Sequence, residues 1–445
     1  MMSSDATADE VETYLDTRRS QGFNAFYLMA LVHPGAAPSP HAPNNKAGDP
    51  PLATPGRFDT AGTTAESERY WEWIDFIVDN SAARGMAVML AYTYLGFGGG
   101  PEGWYQTLLA QPDRATCFAW GAWLGRRYRD RPNILWLALG DYTPPPGSEG
   151  EARARAVLDG IKSAGARQLV LAEISGPTGI PSRDAKAFAD VIDMNSFYGY
   201  GRSGRGDCYP EADAAYRVSP PRPAWVQEGG YEFDDNTGGF SAQSYESRRT
   251  RFWAVLGGGT AGDGFGSGDA WRWRNHPASL HTPGAEYSSH AFALFASFPW
   301  WELRPSGLGE GRAGRDLVVE GRGRWGGLDY ITSAVTAGGS HLLAYVPPRL
   351  PGPKRFTREW FLALLPSGPG GGREFEVDMA ALRGPVRARW FDPSTGDLIP
   401  ISAGYELAST GRRRFRTPTG RRADGSDDWL LVLDSAPMGH RQDTQ

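Results

Sequence analysis

Apolar positions in the first part of the chain recur in two alternating rhythms. Thr7-Ala-Asp-Glu10 has capping-box spacing, and Val11, Tyr14 and Leu15 follow at helical intervals, which predicts a helix ending at Gly22. Phe23–Val32 is then rich in apolar and aromatic residues, as in a parallel strand covered on both faces. The unit returns at Thr63-Thr-Ala-Glu66, ahead of a stripe of Tyr70, Trp73, Ile74, Ile77 and Val78, and closes with Gly85 and the strand Met86–Tyr94. Further helices are predicted near 104–130, 150–164, 183–189, 210–217 and 242–256. They precede strands near 133–141, 167–175, 190–200, 223–232 and 259–266.

A last helix near 285–298 leaves eight helices against seven strands. The pattern predicts an α/β fold, a (β/α)8 TIM-type barrel apparently lacking its first strand. Only six residues precede Thr7, too few for that strand. The chain shows no signal peptide, and two readings stay open: a true start upstream, favoured because it would supply strand and leader and make the protein secreted or periplasmic, or another segment that closes the gap.

Beyond about residue 318 the rhythm shortens to Tyr330–Val335, His341–Val346, Phe375–Val377, Val386–Phe391 and Trp429–Leu433, divided by Gly-, Pro- and Asp-containing turns. This predicts an antiparallel β-sandwich over 319–445 behind a barrel domain over 1–318.

Composition supports two folded cores. The chain has 445 residues, and although 58 Gly and 34 Pro signal many loops, 16 Trp, 18 Tyr and 20 Phe supply core material. A net charge of −5 with scattered Lys and Arg argues against a nucleic-acid partner. No apolar run is long enough to span a membrane, which needs about 18 residues. Seven His without metal-ligand spacing predict no metal site and no cofactor. The sequence leaves open whether Cys117 and Cys208 pair, and what oligomeric state the chain adopts.

In a barrel, residues at the C-terminal ends of the strands face one shared pocket. Asp141 ends Ile134-Leu-Trp-Leu-Ala-Leu-Gly-Asp141, and Glu228 ends Ala224-Trp-Val-Gln-Glu228. Two carboxyl groups on one face are what glycoside hydrolysis needs, one protonated for the leaving group and one ionised. The plain alternatives are a cap or turn role for Asp141 and an ion pair for Glu228. His33, Tyr92, Tyr94, Tyr142, Glu173, Asn195, Tyr198 and Tyr200 are candidate substrate contacts from strand ends, against ordinary turn or packing roles. Glu173, a third acid, would raise the pKa of its neighbours by like-charge repulsion. The Gly257–Gly268 stretch lacks the Gly-Lys-Ser/Thr ending of a phosphate loop. Its glycines allow close backbone approach, with Asp263 and Trp271 placed as sugar contacts.

Arg18-Arg-Ser-Gln-Gly-Phe-Asn24, Pro132-Asn-Ile-Leu-Trp136, Leu139-Gly-Asp-Tyr142, Gln227-Glu-Gly-Gly230 and Gly262-Asp-Gly-Phe-Gly-Ser-Gly-Asp-Ala-Trp271 occur in that order. Ala388-Arg-Trp-Phe-Asp-Pro-Ser-Thr-Gly396, Phe415-Arg-Thr-Pro418 and Asp428-Trp-Leu-Leu-Val-Leu433 follow. Together they make the chain resemble the apiosidase-like glycoside hydrolases that carry a trailing module named for collagen binding. The resemblance implies Asp141 as acid/base and Glu228 as nucleophile of a retaining enzyme. It further implies removal of a terminal sugar, a pentofuranose such as apiose or arabinose, from an oligo- or polysaccharide. The competing expectation is a carbohydrate-binding or scaffold protein with impaired catalysis.

Overall fold

The computed structural model describes every residue except 37–38, 177–178, 201–207, 234–243, 307–315, 349–371, 421, 423, 425 and 437–445. Its contacts divide the chain into two compact units that do not follow chain order. The first holds Met1–Tyr198, Arg217–Ser241 and Gly264–Ala285; the second holds Gly199–Tyr216, Ala242–Asp263 and Glu286–Gln445.

In the first unit six parallel strands alternate with helices: β1 (Ala25–Met29), β2 (Ala87–Ala91), β3 (Ile134–Leu139), β4 (Val170–Glu173), β5 (Asn195–Tyr198) and β6 (Ala224–Glu228). β1 to β4 pair in chain order, and β5 pairs with β6. Thr7 and Glu10 form the capping box that opens the helix Ala8–Ser20. Helices Ala65–Ala83, Arg114–Tyr128 and Glu149–Ser163 begin at side-chain caps Thr64, Asp113 and Ser148. The sheet has two covered faces, which explains its nearly continuous apolar runs. Phe26, Leu28, Val88, Leu90, Trp136 and Ala172 pack outward with the helix stripes of Trp71, Ile74, Trp120 and Ile161. Met89, Ala91, Leu137, Leu171 and Trp225 form a separate inner cluster.

The predicted strand at 259–266 does not form. Gly264 N instead donates to Val226 O at 2.6 Å, and an isolated parallel bridge joins Glu232 and Ser267. A Cβ on Gly264 would lie 2.4 Å from Gln227 O, so the glycine permits a backbone approach that no other residue allows. Ahead of β1, Met2–Asp5 is a short helical turn. Ser3 Oγ donates to Met29 O, and the Met1 amino group donates to Trp271 O at 3.0 Å. The fold of this unit is of TIM-barrel type, as expected, and β1 is the first strand among the described residues.

The second unit is antiparallel. Its strands are β7 (Leu303–Ser306), β8 (Val318–Glu320), β9 (Thr332–Thr336), β10 (His341–Val346), β11 (Glu374–Asp378), β12 (Val386–Phe391), β13 (Leu398–Pro400), β14 (Arg412–Arg416) and β15 (Trp429–Ser435). They form a six-stranded sheet, β13-β12-β15-β10-β9-β7, and a three-stranded sheet, β14-β11-β8. Leu342, Val377, Ala388, Phe415 and Leu431 build the core shared by both sheets, as expected of a sandwich. Helix Ser244–Gly258 belongs to this unit. Its fully buried Arg248 donates to Asp428 Oδ2 and Oδ1 at 3.1 and 2.8 Å, and to Asp424 Oδ2 at 2.8 Å.

Candidate active site

Three strand ends deliver acids to one point. Single carboxylate oxygens of Asp141, Glu173 and Glu228, beyond β3 and at the ends of β4 and β6, lie within 4.8 Å of one another. Two departures from regular strand geometry make this possible. Leu137 belongs to the inner cluster but Leu139 to the outer one, which a regular period-two strand does not allow. The break is a run of positive φ at Leu139 (73°), Gly140 (90°) and Asp141 (53°). A non-glycine residue in that region carries strain of about 1–3 kcal/mol, which surrounding contacts must offset. A Cβ on Gly140 would lie 2.5 Å from the Tyr94 ring, so glycine is required there for Tyr94 to reach the site.

The second departure is in β6. Phe197 pairs with Val226 and Tyr198 with Glu228, leaving Gln227 as an extra residue at a bulge. Regular alternation after the inward Trp225 would put only Gln227 inside; the bulge lets Glu228 join it.

Phenols dominate the hydrogen bonding. Tyr198 Oη donates to Asp141 Oδ1, and Tyr94 Oη lies 2.7 Å from Asp141 Oδ2. Glu173 Oε1 accepts from Gln227 Nε2, and Glu173 Oε2 lies 3.2 Å from Tyr27 Oη. Burial raises the Asp141 carboxyl above the ordinary aspartate range; the Tyr198 and Tyr94 hydrogen bonds oppose the rise and the Glu102 charge adds to it. Glu173, 3% exposed, is pushed well above the usual range by burial and then by the charges of Asp141 and Glu228. Burial and the neighbouring carboxylates likewise raise Tyr27, Tyr94 and Tyr198, which keeps them protonated.

This is a constellation for moving protons. Among the described residues it is also the one acidic group with cation-ligand spacing, but both oxygens of Asp141 and both of Glu173 already have hydrogen-bond partners.

The structure thus brings Tyr94, Asp141, Glu173, Tyr198 and Glu228 together. The other candidates have different surroundings. Tyr92 continues the outward line of Val88 and Leu90 and lines a small cavity with Leu108, Leu139 and Val157. Asn195 opens β5, and its Oδ1 accepts from Ser182 N at 3.0 Å. His33 Nδ1 accepts from Gly35 N at 3.0 Å, and its ring meets Trp104 edge-on at 4.8 Å. Tyr142 packs against Tyr105 at 4.7 Å. Asp263, in the second unit, is held by two Arg251 hydrogen bonds of 2.7 and 2.9 Å. The Arg272 guanidinium lies 4.7 Å from the Trp271 ring centre. Sequence reasoning missed Tyr27 and Glu102. Strand alternation could have found Tyr27, which shares the inward line of Ala25 and Met29, whereas Glu102 on its loop carried no periodic signal.

A parallel α/β fold with acids at its strand ends is an arrangement that glycoside hydrolysis can use, and comparison with known proteins gives the class. The model for "Apiosidase-like, catalytic domain" matches residues 1–302, and the chain belongs to that family. The model for "Putative collagen-binding domain of a collagenase" matches residues 358–434. A glycoside hydrolase family 5 structure from Bacteroides vulgatus ATCC 8482 superposes with a TM-score of 0.74 at 20% identity, over 100% of this chain and 90% of that one. Another structure described as a glycoside hydrolase gives 0.73 at 18% identity, over 98% and 91%. A β-L-arabinopyranosidase from Geobacillus stearothermophilus gives 0.53 at 12%, over 98% and 94%. No curated protein sequence matches significantly. The chain is a glycoside hydrolase with a carbohydrate substrate, and no helix among its described residues is long and apolar enough to cross a membrane.

Proposed function

We propose that this glycoside hydrolase is a retaining enzyme that removes a terminal pentofuranose, apiose or arabinose, from polysaccharide side chains. Asp141 is the acid/base and Glu228 the nucleophile. The carrying observation is the carboxylate separation. Oxygens within 4.8 Å accord with the roughly 5–5.5 Å of retaining enzymes, whereas inverting enzymes leave about 6.5–9.5 Å for a water.

Protonated Asp141 gives its hydrogen to the glycosidic oxygen as the C–O bond breaks and Glu228 bonds to the anomeric carbon. The departing alcohol leaves Asp141 ionised. It then takes a proton from the water that displaces Glu228, which restores both groups. The rise of the Asp141 carboxyl suits the first step. Tyr198 orients Asp141, and Tyr27 and Gln227 hold Glu173. The apiosidase-like family supports the choice of a pentofuranose.

The test is proton NMR of the first anomer released from nitrophenyl apioside or arabinofuranoside. Retention is expected; inversion would overturn the mechanism, and saturable binding with no turnover would establish the binding-protein alternative.

A further inference from the structure

Tyr94 Oη stands between two carboxyl groups, 2.7 Å from Asp141 Oδ2 and 3.1 Å from Glu102 Oε1. A phenol has a single hydrogen and can satisfy only one of them as donor. Glu102 is fixed to compete for it. It lies on the loop after β2, where Gly96, Gly98 and Gly99 all adopt positive φ, and Phe97 N donates to the same Oε1 at 2.8 Å.

When Tyr94 donates to Glu102, its oxygen faces Asp141 with lone pairs only, and a bond to Asp141 Oδ2 then requires the hydrogen to sit on Asp141. We propose that Glu102 takes the Tyr94 hydrogen and thereby obliges Asp141 to carry its own proton, making Glu102 a positioning residue for the proton-transfer step. The inference rests on the reading of Asp141 as acid/base. The other titratable groups facing Asp141 are fixed in kind. Tyr198 on β5 donates to its second oxygen, Glu173 on β4 and Glu228 on β6 share the acid cluster, and Tyr27 on β1 bonds Glu173.

The arrangement has a chemical use. Once Asp141 has protonated the leaving group it is ionised, and the Tyr94 hydroxyl can turn to it, so the same phenol serves both charge states of the acid/base.

The test is a carbon-13 NMR titration of the aspartate carboxyls, with the Asp141 resonance assigned by its loss in Asp141→Asn. Glu102→Gln leaves only a neutral amide oxygen to compete with the Asp141 carboxylate for the Tyr94 hydrogen, which turns to Asp141 and lowers its midpoint by about one pH unit. Glu102→Asp keeps the charge but is one methylene too short to hold Tyr94, and the same drop is expected. A Glu102→Asp protein titrating like wild type would reduce the effect to through-space charge and overturn the proposal, as would an unchanged Glu102→Gln protein. The readout needs no substrate. Failure of Asp141 as a catalytic residue would instead appear as full turnover in Asp141→Asn, whatever the titrations give.

Discussion

Asp141 and Glu173 in the first unit, and Asp424 and Asp428 in the second, are acids partly or wholly withdrawn from water, yet their carboxyls move in opposite directions. Burial raises all four. In the second unit that rise is overcome: Ser426 and Arg248 bring Asp424 down to about 2, and the charges of Arg248 and Arg422 hold Asp428 below the usual range. In the first unit the hydrogen-bond partners are phenols and an amide, and the nearest charges are other acids, so both carboxyls stay high. Burial by itself therefore does not separate a catalytic acid from a structural one; the charge of the partner does.

The comparison can be broken at either end. Glu228→Gln should lower kcat/KM on a nitrophenyl glycoside by about 10⁴-fold or more while leaving the melting temperature close to wild type. Arg248→Ala should do the reverse. It leaves Asp428, at 0% side-chain exposure, without its main counter-charge, and denaturant unfolding should show a loss of about 3–5 kcal/mol.

The smallest effect sharpens the contrast through pH. Acids with depressed pKa values stabilise the fold above the ordinary carboxylate range and lose that contribution as pH falls toward about 2 for Asp424. Glu173 is raised, so its penalty is absent in acid and grows as pH climbs from the unfolded value toward the folded one. Glu173→Gln mimics the protonated form. It should raise Tm at neutral pH by on the order of 2 °C, with the gain vanishing below about pH 4, as thermal melts across pH would show.

Much of this was legible in the chain. Thr7 and Glu10 announce the first helix, and the runs at Ile134–Leu139 and Val386–Phe391 form strands where predicted, because capping and burial periodicity are local. The acids at strand ends were legible for the same reason. Turning Asp141 and Glu228 into the cluster was not, since it depends on left-handed backbone at 139–141 and a bulge at Gln227, which arise from tertiary packing. Tyr92 shows the cost of position without phase. It stands at the right end of β2 but on the outward line of Val88 and Leu90, whereas Tyr94, two residues on and past the strand, reaches Asp141. The Gly257–Gly268 stretch was readable as close approach; what Gly264 approaches is the backbone of β6.

The chain's itinerary limits how this protein can be taken apart. It leaves the first unit at Gly199, returns at Arg217, and departs and returns again before its last exit at Glu286. No single proteolytic nick or stop codon separates the units cleanly. A fragment ending near residue 318 would retain helix Ser244–Gly258 but strip Arg248 of Asp424 and Asp428, and Phe252 of Tyr345, with which it stacks at 5.1 Å. On the ribosome the same helix emerges long before these partners, so a nascent chain halted there would display a buried-type surface to its surroundings.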